Sequence, residues 1–534
     1  MIRVFSISNA SVLITLALAS HVHSFSTLQS WPNVQLPAYA EKQLYEGSLT
    51  ELAQNCPVRV ETTIPAQWLR IAYHDMSTHN VDDGTGGLDA SIQYELDRPQ
   101  NVGRGMVDSL TDFGKSFNVI APFFGMADTM ALGAILGVAA CGGPLIPFSA
   151  GRIDATEAGP ATVPEPQQDL ASHTESFRRQ GFTPTEMISL VACGHTLGGV
   201  RQVDFPLVAV DPEDVLQTFD STINFDNAVV SEYLQNTTQN VLVVGPNMTT
   251  RSNFRIFSSD GNATMQSLLS SDTFNKTCET LIERMLNTVP NGVTLTQPIS
   301  EPFDFVVSQP FLSYRDGNLF MTTKLRVMGE NPNRTVTMFW ADRQGSSCPS
   351  TGCTVSSTDN QQVFFSVIGN IQGLSATRYL FNATITPATS ISKFWFEVNE
   401  NDGSDVIIVD NGGSGFVIEQ DSIFVDNSRS QIVSASTFFT QLVVAVRGDA
   451  SSTVTVTTFN PFANTTTPPY LPVILTANLE VDESNPSEGG FTFFTTNISN
   501  SVNFLNVTAK VGSTTFTQEN VDMTVASLPL VEIS

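Results

Sequence analysis

A change of texture near residue 300 limits most strongly how this chain can fold. Between Leu36 and Val289 apolar residues return every third or fourth position, the period of a helix with one buried face. Residues 38–52, 65–75, 127–140, 184–195 and 271–286 carry that period. Thr63-Ile64-Pro65 and Thr183-Pro184 each set a hydroxyl residue beside an early proline, a helix-start signal. From about Glu301 the pattern becomes short β-branched and aromatic runs, at 335–340, 362–368, 393–398, 453–459 and 490–496, parted by Asn, Asp, Gly, Ser and Pro. One core cannot serve both periods. The reading is a mainly α domain, residues 25–295, followed by an all-β, sandwich-like C-terminal region, residues 296–534. That region is expected to split into two modules near 421–431 or 465–469. A length of 534 residues is itself more than one ordinary domain.

The first 24 residues read as an export signal: Arg3, an apolar run from Val12 to Ala19 too short to span a bilayer, then Ala19, Ser20 and Ser24. Asn-x-Ser/Thr triplets begin at Asn236, Asn247, Asn262, Asn275, Asn333, Asn382, Asn464, Asn497 and Asn506, which agrees with export. Six cysteines in an oxidising compartment favour disulfides, and the short Cys348-to-Cys353 stretch suggests a local bridge. A net charge of −27 and a pI near 4.4 argue against nucleic acid or an anionic membrane as partner. No later segment is apolar enough for a membrane span, and the C-terminus lacks the apolar tail of a lipid-anchor signal. The expectation is a secreted, extracellular glycoprotein.

Four histidines follow the signal, His74, His79, His173 and His195. On a helix, Arg70 and His74 share a face, and a cation beside a histidine favours the neutral imidazole that a general base needs. Spacing alone also fits two exposed polar residues. Asp75 with Gly84-Thr85-Gly86-Gly87-Leu88-Asp89-Ala90-Ser91 offers hard oxygen ligands suited to calcium, or an ordinary loop. His195 closes an apolar helix and is followed by Thr196-Leu197-Gly198-Gly199, small residues that let a flat ligand approach. Phe219-Asp220-Ser221-Thr222-Ile223-Asn224-Phe225-Asp226 is a second oxygen-rich segment. His79 and His173 read as surface or loop residues and Trp68 as core, while Arg152-Ile153-Asp154 fits either a loop beside a cofactor or a structural ion pair.

In this order and at these separations the motifs resemble the haem peroxidases of plants, fungi and bacteria, and most closely a secreted, ascomycete-like version of the fungal lignin-modifying class. The resemblance covers residues 36–289, about half the chain. It implies haem b and two Ca2+ as cofactors. It implies Arg70 and His74 as the distal pair, with Tyr73 at the aromatic position and Asn101 as the acceptor for the other His74 nitrogen. Asp75, Gly87, Asp89 and Ser91 match the distal calcium site. His195 matches the proximal iron ligand, Asp260 the carboxylate that takes its N–H, and Phe219 the aromatic flanking that pair. Thr196, Asp220, Thr222 and Asp226 match the proximal calcium site, in a loop one residue short, with its backbone ligand between Ile223 and Asn224. Cys56–Cys141 matches a family disulfide, and Cys193–Cys278 takes the remaining pair.

Within that family, manganese oxidation uses carboxylates where this chain has Thr63, Gln67 and Arg201, and bulky aromatics are oxidised from a tryptophan where it has Leu190. The resemblance therefore implies an extracellular enzyme, responsive to oxidative stress, that reduces hydrogen peroxide and oxidises small phenolic or dye-like donors without those two sites. The alternative is a non-catalytic cell-wall or adhesive glycoprotein with a vestigial peroxidase domain. Cell-wall or plant polysaccharide is a candidate partner for the C-terminal region.

Overall fold

The computed structural model describes residues 36–59, 62–116, 119–210, 216–345, 353–418, 421–434, 438–448, 452–461, 466–526 and 528–532. The export segment, Cys348 and the triplet at Asn464 lie outside these residues. The Cys348–Cys353 bridge is therefore not described, although Cys353 is disulfide-bonded.

The first half is helical. Its principal helices are α1 (Leu36–Glu46), α2 (Ile64–Met76), α3 (Met126–Ala140), α4 (Leu170–Arg179), α5 (Pro184–Gly194), α6 (Ser252–Phe257) and α7 (Ser271–Leu286). α2 starts where Thr63 Oγ1 accepts the Ala66 N–H, with Pro65 in the first turn. α5 starts on a full capping box, Thr183 taking the Glu186 N–H and the Glu186 carboxylate taking the Thr183 N–H. α3 is apolar around its circumference and buried almost throughout, as a central core helix must be. α2 lies against it closely: a Cβ on Gly137 would stand 3.1 Å from the Pro65 Cα. Cys56–Cys141 ties the start of the domain to the end of α3, and Cys193–Cys278 ties α5 to α7.

The second half is built of β-sheets. One sheet centres on β1 (Asn318–Met328) paired with β3 (Ala376–Ile385), and another on β2 (Thr335–Ala341) paired with β4 (Lys393–Asn399). They share a core in which Phe381 of β3 meets Phe396 of β4 at 5.0 Å between ring centroids. A nine-stranded sheet follows, including β5 (Phe438–Arg447), β6 (Thr453–Asn460), β7 (Val473–Val481), β8 (Phe491–Ser499) and β9 (Phe504–Val511). The first two sheets end by Val417 and the third begins at Ile423. The expected break at 465–469 is corrected: β6 pairs with β7 across it, so both sides belong to one sheet. The expected strand at 362–368 is also corrected. Asp359–Gln362 is a strand, but Val367–Ile371 is a short helix, with Ser366 donating to the Leu44 carbonyl and Val367 N–H to Thr50 Oγ1. Its apolar residues face the helical half rather than a sheet.

The two halves are packed together. Arg326 of β1 is buried against Glu41 and Glu46 of α1, with nitrogen–oxygen distances of 2.5 and 2.7 Å, and Arg378 of β3 also pairs with Glu46. Phe504 of β9 packs edge-on to Tyr39 at 6.1 Å, and the Tyr470 N–H donates to Gln93 Oε1 at 3.0 Å. Among the described residues no helix is long and apolar enough to cross a membrane.

Candidate active site

α2 buries Trp68, Ile71, Ala72 and Met76 and turns Arg70 and His74 toward a cavity of about 750 Å³. α5 buries Met187, Ile188, Leu190 and Cys193 and delivers His195, just past its last turn, to the same cavity. The disulfide at Cys193 anchors the chain two residues before His195. Tyr73, Phe177, Leu197, Phe205 and Phe219 contribute apolar walls. This is the size and lining of a cofactor pocket.

His74 Nδ1 lies 2.9 Å from Asn101 Oδ1. The Asn101 amide nitrogen donates to the Glu95 carbonyl at 3.1 Å, so its oxygen is the atom facing the ring. That makes His74 Nδ1 the protonated nitrogen and leaves Nε2 as a free acceptor. Burial, and then the Arg70 charge, push the His74 pKa down to about 3, against the pull of Asn101; His195 lowers it slightly further. Arg70 donates to the Val102 carbonyl at 3.1 Å and lies 5.6 Å from the Phe205 ring centroid. Burial lowers its pKa to about 10, with Asp204 opposing, so it stays charged at neutral pH.

Asp75, next to His74, is fully buried and receives the N–H groups of Asp89, Ala90 and Ile92 at 2.7–2.8 Å. Burial, and then Asp89, raise its pKa. Asp89 and Ser91 belong to the same cluster, with Ser91 N–H on Asp89 Oδ1. The Gly87 carbonyl lies within 3.4 Å of Thr78 Oγ1 in the adjoining turn.

On the opposite wall Phe219 stacks on the His195 ring, centroids 4.2 Å apart and planes 19° apart. The His195 pKa is pushed down to about 4 by burial, with Asn253 opposing. Thr196 Oγ1 bonds the Asp226 backbone, and Thr222 bridges Asp220 and Asp226 through its N–H and hydroxyl. Asn224, not Ile223, turns its carbonyl toward Thr222 Oγ1, at 3.4 Å. Asp220 Oδ2 is buried with no hydrogen-bond partner, and burial raises the Asp220 pKa to about 7. Among the described residues no three His, Cys, Asp or Glu side chains converge. Each oxygen cluster rests on two carboxylates plus hydroxyl and carbonyl groups.

Asp260 is not at His195. Its carboxylate takes the N–H and hydroxyl of Thr264 at 2.9 and 2.6 Å, capping a short helix near the surface. The amide of Asn253, on α6, lies against His195 Nδ1 instead, its oxygen at 3.2 Å and nitrogen at 2.8 Å. Asn253 stands seven residues before Asp260, in Ser252-Asn253-Phe254-Arg255-Ile256-Phe257. No sequence pattern marks Asn253, because the position is an amide where the resemblance implies a carboxylate.

His173 is also corrected. It is buried on α4 beside the cavity, with Nε2 3.0 Å from the Glu165 carbonyl. Arg152 is buried in an ion pair with Asp128 at 2.9 Å, and Asp154 accepts the first N–H groups of α3, so that segment is structural. Trp68 is buried and donates to Asp112 at 2.8 Å. Of the manganese positions, Thr63 caps α2, Gln67 Oε1 accepts from Arg59 at 2.9 Å, and Arg201 lies 3.6 Å from Asp204. Leu190 is buried in the core. Asp204 and Phe205, which flank Arg70, carried no recognisable motif.

Residues 49–284 match the protein-family model described as peroxidase. A WSC domain-containing protein of Arthroderma benhamiae is 35% identical over 376 residues, 66% of this chain and 49% of that protein. That match is longer than all of the chain up to residue 284 and so takes in part of the β region. The putative L-ascorbate peroxidase 6 of Arabidopsis thaliana is 37% identical over 134 residues, 24% of this chain and 40% of that protein. The peroxisomal L-ascorbate peroxidase 5 of the same plant is 32% identical over 176 residues, 33% of this chain and 59% of that protein. The chain thus spans about half the length of the relatives it matches.

Proposed function

We propose that this chain, whose residues 49–284 carry a peroxidase-family domain, is a secreted haem peroxidase that acts on hydrogen peroxide and small phenolic or dye-like donors. The observation that carries the reading is the pair of imidazoles lining one largely apolar cavity, one backed by a charged arginine and each held neutral. The residues fit haem b: a cavity of about 750 Å³ in which His195 would hold the iron, with Phe219 bracing that ring. Haem would supply the metal at which peroxide is cleaved and through which electrons pass.

The chain's own groups then do the rest. His74 Nε2 takes the proton from the near oxygen of peroxide and delivers it to the far one. Asn101 holds the tautomer that makes this possible. Arg70 stabilises the charge developing on the departing oxygen, with no reorganisation because it is already fixed by Val102. Thr63, Gln67 and Arg201 offer no carboxylate for manganese, and the buried Leu190 no surface indole.

Two calcium ions are part of the reading. The unpartnered Asp220 oxygen and the buried Asp75–Asp89 pair are the arrangements that a hard cation relieves. The leader-like start, the Asn-x-Ser/Thr triplets and the bonded cysteines support export. The β region, read as sandwich-like, is assigned a place against wall or plant polysaccharide.

A second reading, a wall glycoprotein with a vestigial site, has one observation in its favour, the amide at His195 where the family resemblance implies a carboxylate. Peroxide-dependent oxidation of a small phenol by the haem-loaded protein separates the two. The enzyme turns over, and Arg70→Leu and His74→Leu each lower the rate with peroxide about 10²–10³-fold. A loaded protein whose background turnover is unaffected by either change is the glycoprotein.

A further inference from the structure

The proximal side of the site holds a chemistry the sequence did not announce. Resting on the haem reading, iron at His195 Nε2 places the ring proton on Nδ1. To accept it, the Asn253 amide presents its Oδ1, at 3.2 Å, in place of its Nδ2, at 2.8 Å. Asn253 is buried on α6 and meets the ring at its Nδ1 edge, while Phe219 stacks on the ring face. Among the described residues the side chain at hydrogen-bond distance from His195 Nδ1 is the Asn253 amide, not a carboxylate. Asp260 is committed to Thr264.

A carboxylate at this position makes the ligand more basic and stabilises the more oxidised metal, and a neutral amide does neither. We propose that Asn253 is a positioning residue that fixes the tautomer and orientation of His195 and, being neutral, holds the haem iron at a higher reduction potential than a carboxylate there would. The amide keeps the orienting function of the pair and discards its charge. Activation of peroxide then depends more heavily on Arg70 and His74, and the resting iron is reducible by milder donors.

The test uses the full chain loaded with haem, and Asn253→Asp, which changes one buried atom pair. The ferric/ferrous midpoint potential and the ferrous iron–histidine stretching frequency are measured on both. Asn253→Asp shifts the reduction equilibrium at least tenfold toward the ferric form, which is 59 mV for a one-electron couple, and raises the stretching frequency. Asn253→Leu keeps the high potential but broadens the stretching band, because nothing orients the ring. An Asn253→Asp potential within about twofold of the parent overturns the proposal. If that variant does not fold, the parent decides: a low stretching frequency supports a neutral partner and a high one overturns it. A parent chain with no haem band overturns the peroxidase reading and this inference with it, whereas a band with an unmoved potential overturns this inference alone.

Discussion

His74 owes its character to burial and to neighbours that pull in known directions. Burial and Arg70 disfavour its charged form, and Asn101 opposes them less strongly. With a pKa of about 3 the base is neutral at every ordinary pH. The rate of reaction with peroxide is therefore expected to be flat from neutral pH down to about pH 4 and to fall as pH approaches 3, in stopped-flow measurements. The same shift appears in stability. The unfolded chain protonates its histidines near about pH 6.5, above the folded values of about 3 and 4 for His74 and His195. Unfolding then takes up protons, so these two groups make the haem-free protein lose stability as pH falls from about 6.5 toward 3. Denaturant midpoints across that range check the sign. Arg70, His74 and His195, named by the resemblance, line one cavity; helical spacing alone fitted two exposed polar residues equally well. Asn253 was not legible, because an asparagine on a polar segment has no pattern that separates an orienting partner from a surface residue. Asp260 drew the assignment because it is the carboxylate of that segment.

At the level of elements, the helical segments were readable from their apolar period, and α2 and α5 also from a capping threonine beside an early proline. The failure at 362–368 has a physical cause. Val367 and Ile368 are β-branched, but their partners are α1 and α3 rather than a sheet, and tertiary contact overrides strand propensity. The two disulfides each close a sequence separation of 85 residues and pin elements that carry the site. Replacing Cys193 and Cys278 together by serine is expected to cost about 2–4 kcal/mol in denaturant unfolding. It should also loosen His195 more than His74, seen as a haem band that broadens before secondary structure is lost. The calcium clusters make a separate prediction. Chelation should lower the melting temperature, and added calcium, but not magnesium, should restore it.

For the whole molecule, the change of texture near residue 300 marked a true change of architecture, but it concealed how firmly the halves join. The Glu41–Arg326–Glu46–Arg378 network links residues 280 to 332 positions apart, and no local pattern reports a pairing of that separation. Arg326→Met should cost about 3–5 kcal/mol, because it strands the buried Glu41 carboxylate, while Glu46 keeps Arg378. A fragment ending near residue 300 should be poorly soluble, since it exposes the Tyr39–Phe123–Phe504 cluster and the Gln93–Tyr470 contact. The β region is in this sense part of the wall that supports the distal loop, through Gln93 and the Ser91–Tyr94 turn.

The claim beneath all of this is that His195 and His74 face one porphyrin, the first bonded to its metal and the second not. The most direct measurement is the absorption spectrum of the purified full chain with haem, beside His195→Ala and His74→Ala. The expected result is a haem band in the parent and in His74→Ala, with His195→Ala losing it and regaining it in added imidazole. A band that survives unchanged in His195→Ala, or no band in the parent, would contradict the claim.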